Sequence, residues 1–249
     1  MKIPSIEELL EAGVHFGHQK SRWHPKMDQY IFTDRHGIHI IDLEETQKQL
    51  ESVLVSIREM AAEGKTIMFV STKPQARDIV KAGAIAAGMP YMIERWLGGM
   101  LTNFVEIKKL VKRYVSLKEQ QASGELEKYT KQERIRIGKE LEKMDTYLGG
   151  LSGIEAMPDA IFVPAVQREK TAVNEAIKTG VSIIGICDTN ANPERVQYVI
   201  PGNDDDVIDI ELLVGLVVGA INEGKKEYEN KKTLDKKNMS TKEEMEATK

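Results

Sequence analysis

The stretch Thr66-Ile67-Met68-Phe69-Val70-Ser71-Thr72-Lys73-Pro74 decides the fold. Its unbroken apolar run describes a strand buried on both faces, as in a parallel sheet. Pro74 then stands where a helix can open, since proline is tolerated in a first turn, and the pattern predicts that helix as far as Ala87. The same rhythm recurs on both sides. Pro90 to Ile93 reads as a short strand, Ala160 to Val163 and Ser182 to Ile186 as strands separated by a helix over 170–178, and Tyr198 to Ile200 as one more. Upstream, Gly37 to Leu43 reads as the first central strand, followed by an amphipathic helix over 44–62. Near the other end, Asp206 opens an apolar helix reaching about Asn222. Strands alternating with helices imply βαβ units with right-handed crossovers, hence an α/β three-layer sandwich around a parallel sheet.

One segment breaks this rhythm. Phe104, Ile107, Val111 and Tyr114 step by three and four residues, as do Ile137, Leu141, Met144 and Leu148 after a break at Ser123-Gly124. That is the spacing of a narrow seam, so residues 104–149 are expected to form an antiparallel coiled-coil helical hairpin inserted into a sandwich built from 1–103 and 150–222. Lys108, Lys109, Lys112 and Arg113 on the outgoing helix, and Lys131, Arg134, Arg136 and Lys139 on the return, are mixed with Glu106, Glu119 and Glu140. The mixture fits a solvated face as well as a nucleic-acid contact. Over 223–249 lysine and glutamate alternate with Asn, Ser and Thr. Such a segment buries too little apolar surface to offset its ordering entropy, and a charged, disordered tail, partly helical near its start, is expected.

Bulk composition narrows the class. The 249 residues are 41% hydrophobic and 30% charged, as in an ordinary globular protein. A net charge of -4 argues against coating nucleic acid through bulk charge, so any basic surface must be local. Cys187 is the only cysteine, which excludes an internal disulfide and a thiolate-rich zinc site and fits a reducing cytoplasm. No apolar run reaches membrane-span length and no apolar signal segment follows Met1, so an intracellular, cytoplasmic protein without a membrane partner is expected.

Two stretches carry functional information. In Arg95-Trp96-Leu97-Gly98-Gly99-Met100-Leu101-Thr102-Asn103 a cation and an aromatic run into paired glycines, with a helix opening at Thr102 or Asn103. Free N–H groups at such a helix start suit an anion, either a phosphorylated small ligand or a nucleic-acid backbone. Trp96 fits a wedge between hairpin and sandwich as well as a base-stacking surface. In Gln19-Lys20-Ser21-Arg22-Trp23-His24-Pro25-Lys26-Met27 cations interleave with an aromatic, the pattern that meets structured RNA. Trp23 would equally serve as a plug at the base of that loop. Arg35 and His36 extend the same rim.

Other chemistry is thinly represented. Thr72-Lys73-Pro74-Gln75 would reach a phosphate, but a turn plus helix entry explains it equally. Neither a P-loop, a G-x-G-x-x-G fingerprint nor a G-x-S-x-G elbow occurs, and Cys187 ends an apolar strand where a buried, inert thiol is expected. No catalytic group and no cofactor are therefore predicted. A His/Asp metal site from His18, Asp188 and Asp204 is conceivable, yet capping of the last helix accounts for Asp204-Asp205-Asp206 and no metal is predicted. The RNA-binding set is His18, Gln19, Lys20, Arg22, Trp23, Lys26, Arg35, Arg95, Trp96, Asn103, Lys108, Lys112 and Arg113.

Several motifs occur together in a fixed order. They are Ala12-Gly13-Val14-His15-Phe16-Gly17-His18-Gln19, Trp23 with Pro25-Lys26-Met27, Gly37-Ile38-His39-Ile40-Ile41-Asp42-Leu43, the 95–103 loop, Leu148-Gly149-Gly150, Asp188-Thr189-Asn190 and Ile200-Pro201-Gly202-Asn203-Asp204-Asp205. With Tyr30-Ile31-Phe32 and Pro158-Asp159-Ala160-Ile161-Phe162-Val163, the pattern resembles the bacterial small-subunit ribosomal protein two family over about residues 3–222. The resemblance implies a flavodoxin-like sheet with a helical hairpin, and a structural role on the solvent side of the small subunit between head and body. Its implied partners are small-subunit rRNA, neighbouring ribosomal proteins and the large mRNA-binding ribosomal protein one, with this chain a monomer in the cytoplasmic ribosome. Three departures make the carboxyl-end edge of the sheet more acidic than the family pattern: Pro164-Ala165-Val166-Gln167 after Val163, Glu94 ahead of Arg95, and Asp206-Val207-Ile208-Asp209 after Asp205.

Overall fold

In the computed structural model, which describes residues 3–247 and side chains over 3–233, the chain opens with α1 (Ile6–Glu11). Ser5 and Glu8 close a reciprocal capping box at its start. Next come β1 (Phe16–Gln19), β2 (Ile31–Arg35) and β3 (Ile38–Ile41), which form an antiparallel sheet of their own in the order β1-β3-β2. His36 and Gly37 join β2 to β3, both at positive φ as a tight two-residue hairpin turn requires. The expectation that 37–43 supplies the first strand of the main sheet is corrected here. Ile38 is exposed while His39 and Ile41 are buried, a pattern suited to a sheet with one wet face; a central parallel strand needs both faces apolar.

Asp42 caps α2 (Leu43–Ala62) by accepting from the Glu44 and Glu45 N–H groups. Then follow β4 (Ile67–Val70), α3 (Pro74–Ala87), β5 (Tyr91–Met92), α4 (Phe104–Ala122), α5 (Lys131–Leu148), β6 (Ala160–Val163), α6 (Lys170–Thr179), β7 (Ser182–Cys187), β8 (Tyr198–Pro201) and α7 (Val207–Ala247). The five strands β4 to β8 make an all-parallel sheet in the order β5-β4-β6-β7-β8. Alternate residues of β4 face opposite layers. Ile67 and Phe69 pack with α2, α3 and α7, whereas Met68 and Val70 pack with α6, the base of the hairpin and the turn at Met27 and Tyr30. This is a flavodoxin-like three-layer α/β arrangement. Strand order reverses between β4 and β6, and the crevice at their carboxyl ends is where such sheets hold ligands. No helix among the described residues is long and apolar enough to cross a membrane.

The α4–α5 hairpin buries Ile107, Val111 and Tyr114 against Leu141 and Leu148, with Phe104 and Met144 partly covered beside them. Tyr114 Oη also bonds Asp145 across the seam, and Lys118 joins the same carboxylate at 2.9 Å.

A second difference concerns the carboxyl-terminal segment. Helix α7 does not stop near Asn222 but continues to Ala247, and residues 248–249 of the expected tail lie outside the described residues. Its continuation is docked: Lys225 Nζ donates to the Ala87 and Gly88 carbonyls at the end of α3, at 2.6 and 3.1 Å. Three residues on, the Tyr228 ring lies against Gly64. The polar composition of 223–233 concealed a one-sided contact made by Gly224, which lies close against Arg58 and Ala61 of α2, with Lys225 and Tyr228.

Candidate nucleic-acid interface

The loop from Arg95 to Asn103 ends β5 and launches α4, with Asn103 in the N-cap position but making no side-chain cap. Gly99 takes φ +87°, which only glycine adopts without strain, and so turns its N–H inward. All the inward donors meet one acceptor, the Glu175 carboxylate from α6. Trp96 Nε1 and the Gly99 N–H reach one oxygen, each at 2.9 Å. The Leu101 N–H, the Thr102 N–H and the Thr102 hydroxyl reach the other at 3.1, 3.2 and 3.1 Å. Burial alone would push this carboxyl up, but together these hydrogen bonds hold it below its ordinary value. The anion position anticipated at the glycines therefore exists and is filled from within.

The sheet crevice is filled in the same manner. Glu169, buried just ahead of α6, accepts from the Thr72 N–H at 2.6 Å and the Thr72 hydroxyl at 2.7 Å. Thus the backbone after β4, the other place considered for a phosphate, is also occupied by an internal carboxylate. Neighbouring Lys73 is buried and turned toward Asp204 and Asp205, 2.7 Å from each carboxylate. A small phosphorylated ligand would have to displace these groups or face their like charge.

The amino-terminal loop is held by the carboxyl end of β7. His18 Nδ1 lies 2.7 Å from Asp188, its Nε2 3.4 Å from Asp205, and its backbone N–H donates to the Thr189 hydroxyl at 2.9 Å. The His24 N–H bonds the Thr189 carbonyl at 2.7 Å. His18, Asp188, Asp204 and Asp205 place potential ligand atoms within 4.8 Å of one another, a spacing that would suit a divalent cation. Lys73 already supplies a positive charge to two of the three acids. Burial and the neighbouring Asp188 push the Asp204 carboxyl up; burial would raise Asp205 as well, but the Lys73 hydrogen bond and charge hold it low.

The His18 ring is held protonated to higher pH than usual, chiefly by its hydrogen bond to Asp188 and against the opposing effect of burial. A histidine whose folded pKa is raised contributes stability that is fully present below its ordinary value and lost as pH rises through the folded one. We expect the His18 ring-proton resonance to titrate above the ordinary histidine range, and to return toward it in Asp188→Asn. The stability difference between these two proteins should shrink as pH rises past that titration.

These contacts sort the candidates. Two of the expected contacts are tied inward: half-buried His18 has both ring nitrogens on carboxylates, and Trp96 is buried with its N–H on Glu175. Trp23 is half-buried with its ring 5.2 Å from that of His39, which leaves one part of the indole outward. Lys20, Lys26 and Arg113 are exposed but paired with Asp34, Glu194 and Glu140. Lys108 donates to the Glu155 carbonyl and ties the hairpin to the sandwich. Gln19, Arg22, Arg35, Arg95, Asn103 and Lys112 are exposed, and among the described residues none of their cations has a carboxylate in ion-pair contact.

Glu169 and Glu175 escape a reading of the sequence, because a glutamate in a helical stretch ordinarily reads as solvated. The available signal is register. Glu169 precedes Ala172 and Val173 by three and four residues, and Glu175 follows Ala172 by three, which sets both acids on or beside the apolar stripe. Across this architecture, the family model described as ribosomal protein S2 matches residues 9–224, a span that takes in every candidate contact residue.

Proposed function

Because the chain belongs to the ribosomal protein S2 family, and is thus a structural, non-enzymatic protein of the small ribosomal subunit, we propose that it grips small-subunit rRNA through a discontinuous basic rim. The rim consists of the amino-terminal loop and β2–β3 turn (Gln19, Arg22, Trp23, Arg35), the edge of the 95–103 loop (Arg95, Asn103) and the outer face of α4 (Lys112). Lys20, Lys26, Lys108 and Arg113 contribute at second rank, since each first surrenders an internal partner. The observation that carries this reading is the exposure of Arg22, Arg35, Arg95 and Lys112 without ion-paired carboxylates among the described residues, in a chain whose net charge is -4.

The mechanism is phosphate positioning, with little base-specific readout. Exposed guanidinium groups can meet backbone oxygens in pairs, and the Trp23 face offers a surface for one unpaired base. The sandwich (1–103 and 150–222) and the hairpin (104–149) would touch separate parts of the RNA and so brace a neighbourhood during subunit assembly. Adjacent ribosomal proteins, the large mRNA-binding protein one among them, are the expected protein partners of the monomer in the cytoplasmic ribosome. The plugged positions at Glu169 and Glu175 weigh against a small phosphorylated ligand. Rebinding of the purified chain to small subunits depleted of it tests the proposal: stoichiometric, salt-sensitive co-sedimentation is expected, and a chain that stays in the supernatant would refute it.

A further inference from the structure

The donors that converge on Glu175 all come from the short run between Trp96 and Thr102, and the residues immediately outside that run are Arg95 and Asn103. Both are exposed, whereas Glu175 is only 8% exposed and, among the described residues, has no cationic partner. Its charge is therefore balanced by N–H and O–H dipoles alone. We propose that Glu175 is a positioning residue: its carboxylate serves the loop as a built-in anion and holds Arg95 and Asn103 outward in the geometry that meets a phosphate. This rests on the RNA-contact reading of the loop given above.

The chemistry requires an anion at this place. Every group aimed at the site is a donor, so a ligand that brings its own N–H would turn donor against donor. A carboxylate is an acceptor only, and its two oxygens, with about four lone-pair sites between them, take all five contacts, the three at one oxygen sharing its capacity. It also reserves the backbone for itself. RNA phosphates approaching the glycines would meet a like charge, so contact is confined to the Arg95 and Asn103 side chains at the two ends of the loop.

The test uses the full-length chain with Glu175→Ala, which removes the acceptor and leaves the five donors unpaired, alone and combined with Arg95→Ala. Amide hydrogen exchange at Gly99, Leu101 and Thr102 reports the loop, and rebinding to depleted small subunits reports the interface. Glu175→Ala is expected to speed exchange at all three amides and weaken rebinding about tenfold, the scale of one displaced charge-assisted hydrogen bond. Arg95→Ala should add little in that background. Sodium acetate, compared with sodium chloride at equal ionic strength, should restore both protection and rebinding, because a free carboxylate can occupy the vacated donors. A folded Glu175→Ala protein that acetate does not rescue, or one in which Arg95→Ala keeps its full effect, overturns the proposal. If Glu175→Ala does not fold, Trp96→Phe removes a single donor; faster exchange at Gly99 with a few-fold loss of rebinding is then expected, and no change in either overturns it. An Arg95→Ala single variant that rebinds normally would refute the RNA-contact reading and the proposal with it. Exchange and acetate rescue would then show separately whether Glu175 holds the loop.

Discussion

Replacing Arg22, Arg35 and Arg95 together by alanine is expected to weaken rebinding to depleted small subunits by about a thousandfold or more, at about 1.5 kcal/mol for each charge-assisted hydrogen bond to phosphate that is removed. Unlike Lys20, Lys26 and Arg113, none of these three is ion-paired with a carboxylate among the described residues. The slope of log affinity against log salt should become shallower by roughly 2 to 3, since three fewer counterions are displaced. Replacing the paired cations Lys20 and Lys26 should cost much less, because each variant also frees an acid, Asp34 or Glu194, that would otherwise remain neutralised. A triple variant with an unchanged salt slope would mean that the basic rim is not the RNA-binding surface.

Gly224→Ala carries the largest expected effect on stability. A methyl group at this point of α7 would run into the Arg58 carbonyl oxygen and crowd the Ala61 side chain on α2, both firmly held parts of a helix. Overpacking against backbone is costly, and a loss of about 3 kcal/mol is expected. For a domain of this size that lowers the melting temperature by roughly 6 to 12 °C. Gly219→Ala supplies the control within the same helix. Nothing lies within 4 Å of a methyl group there, so the usual gain for alanine over glycine, about 0.5 to 1 kcal/mol, should appear as a small rise. Opposite signs for one chemical change in one helix would establish that the close α2–α7 crossing persists past Asn222. Equal effects would remove the docked continuation from the account.

Most of the fold is readable from apolar periodicity. The runs at Ile67 to Val70, Ala160 to Val163 and Ser182 to Ile186 are strands of one parallel sheet, and the hairpin seam holds at Ile107, Val111, Tyr114, Leu141 and Leu148. What periodicity misses is long-range. Whether Ile38 to Ile41 joins the main sheet depends on partners far along the chain, and only the histidine at position 39 hints that it does not. The helix beyond Asn222 is hidden because its contacts come from few residues, and a composition average dilutes them.

The site is legible as a set of places and less so as a set of roles. Arg95 and Asn103 are exposed, whereas Trp96 is buried with its N–H on Glu175 and half-buried His18 is held by Asp188. The sequence locates a phosphate-like position at Gly98-Gly99, but its occupant, Glu175, lies more than seventy residues later. Spacing within a loop can reveal that donors converge on a point. It cannot reveal which acceptor the rest of the chain brings there.

Directed hydroxyl-radical probing tests the central claim, contact with rRNA through the basic rim, most directly. Cys187 is buried, and burial pushes its thiol well above the ordinary range, so it should stay unlabelled while an iron chelate is attached to a cysteine introduced elsewhere. Small subunits would be rebuilt with chains carrying Gln19→Cys on the rim or Gly98→Cys in the 95–103 loop, where an added side chain meets nothing within 4 Å, or Glu51→Cys on the exposed face of α2 as reference. Strong, localised cleavage of small-subunit rRNA from the first two positions, and weaker cleavage from the third, is the predicted result. Cleavage from Glu51→Cys equal to or stronger than that from both rim positions would contradict it.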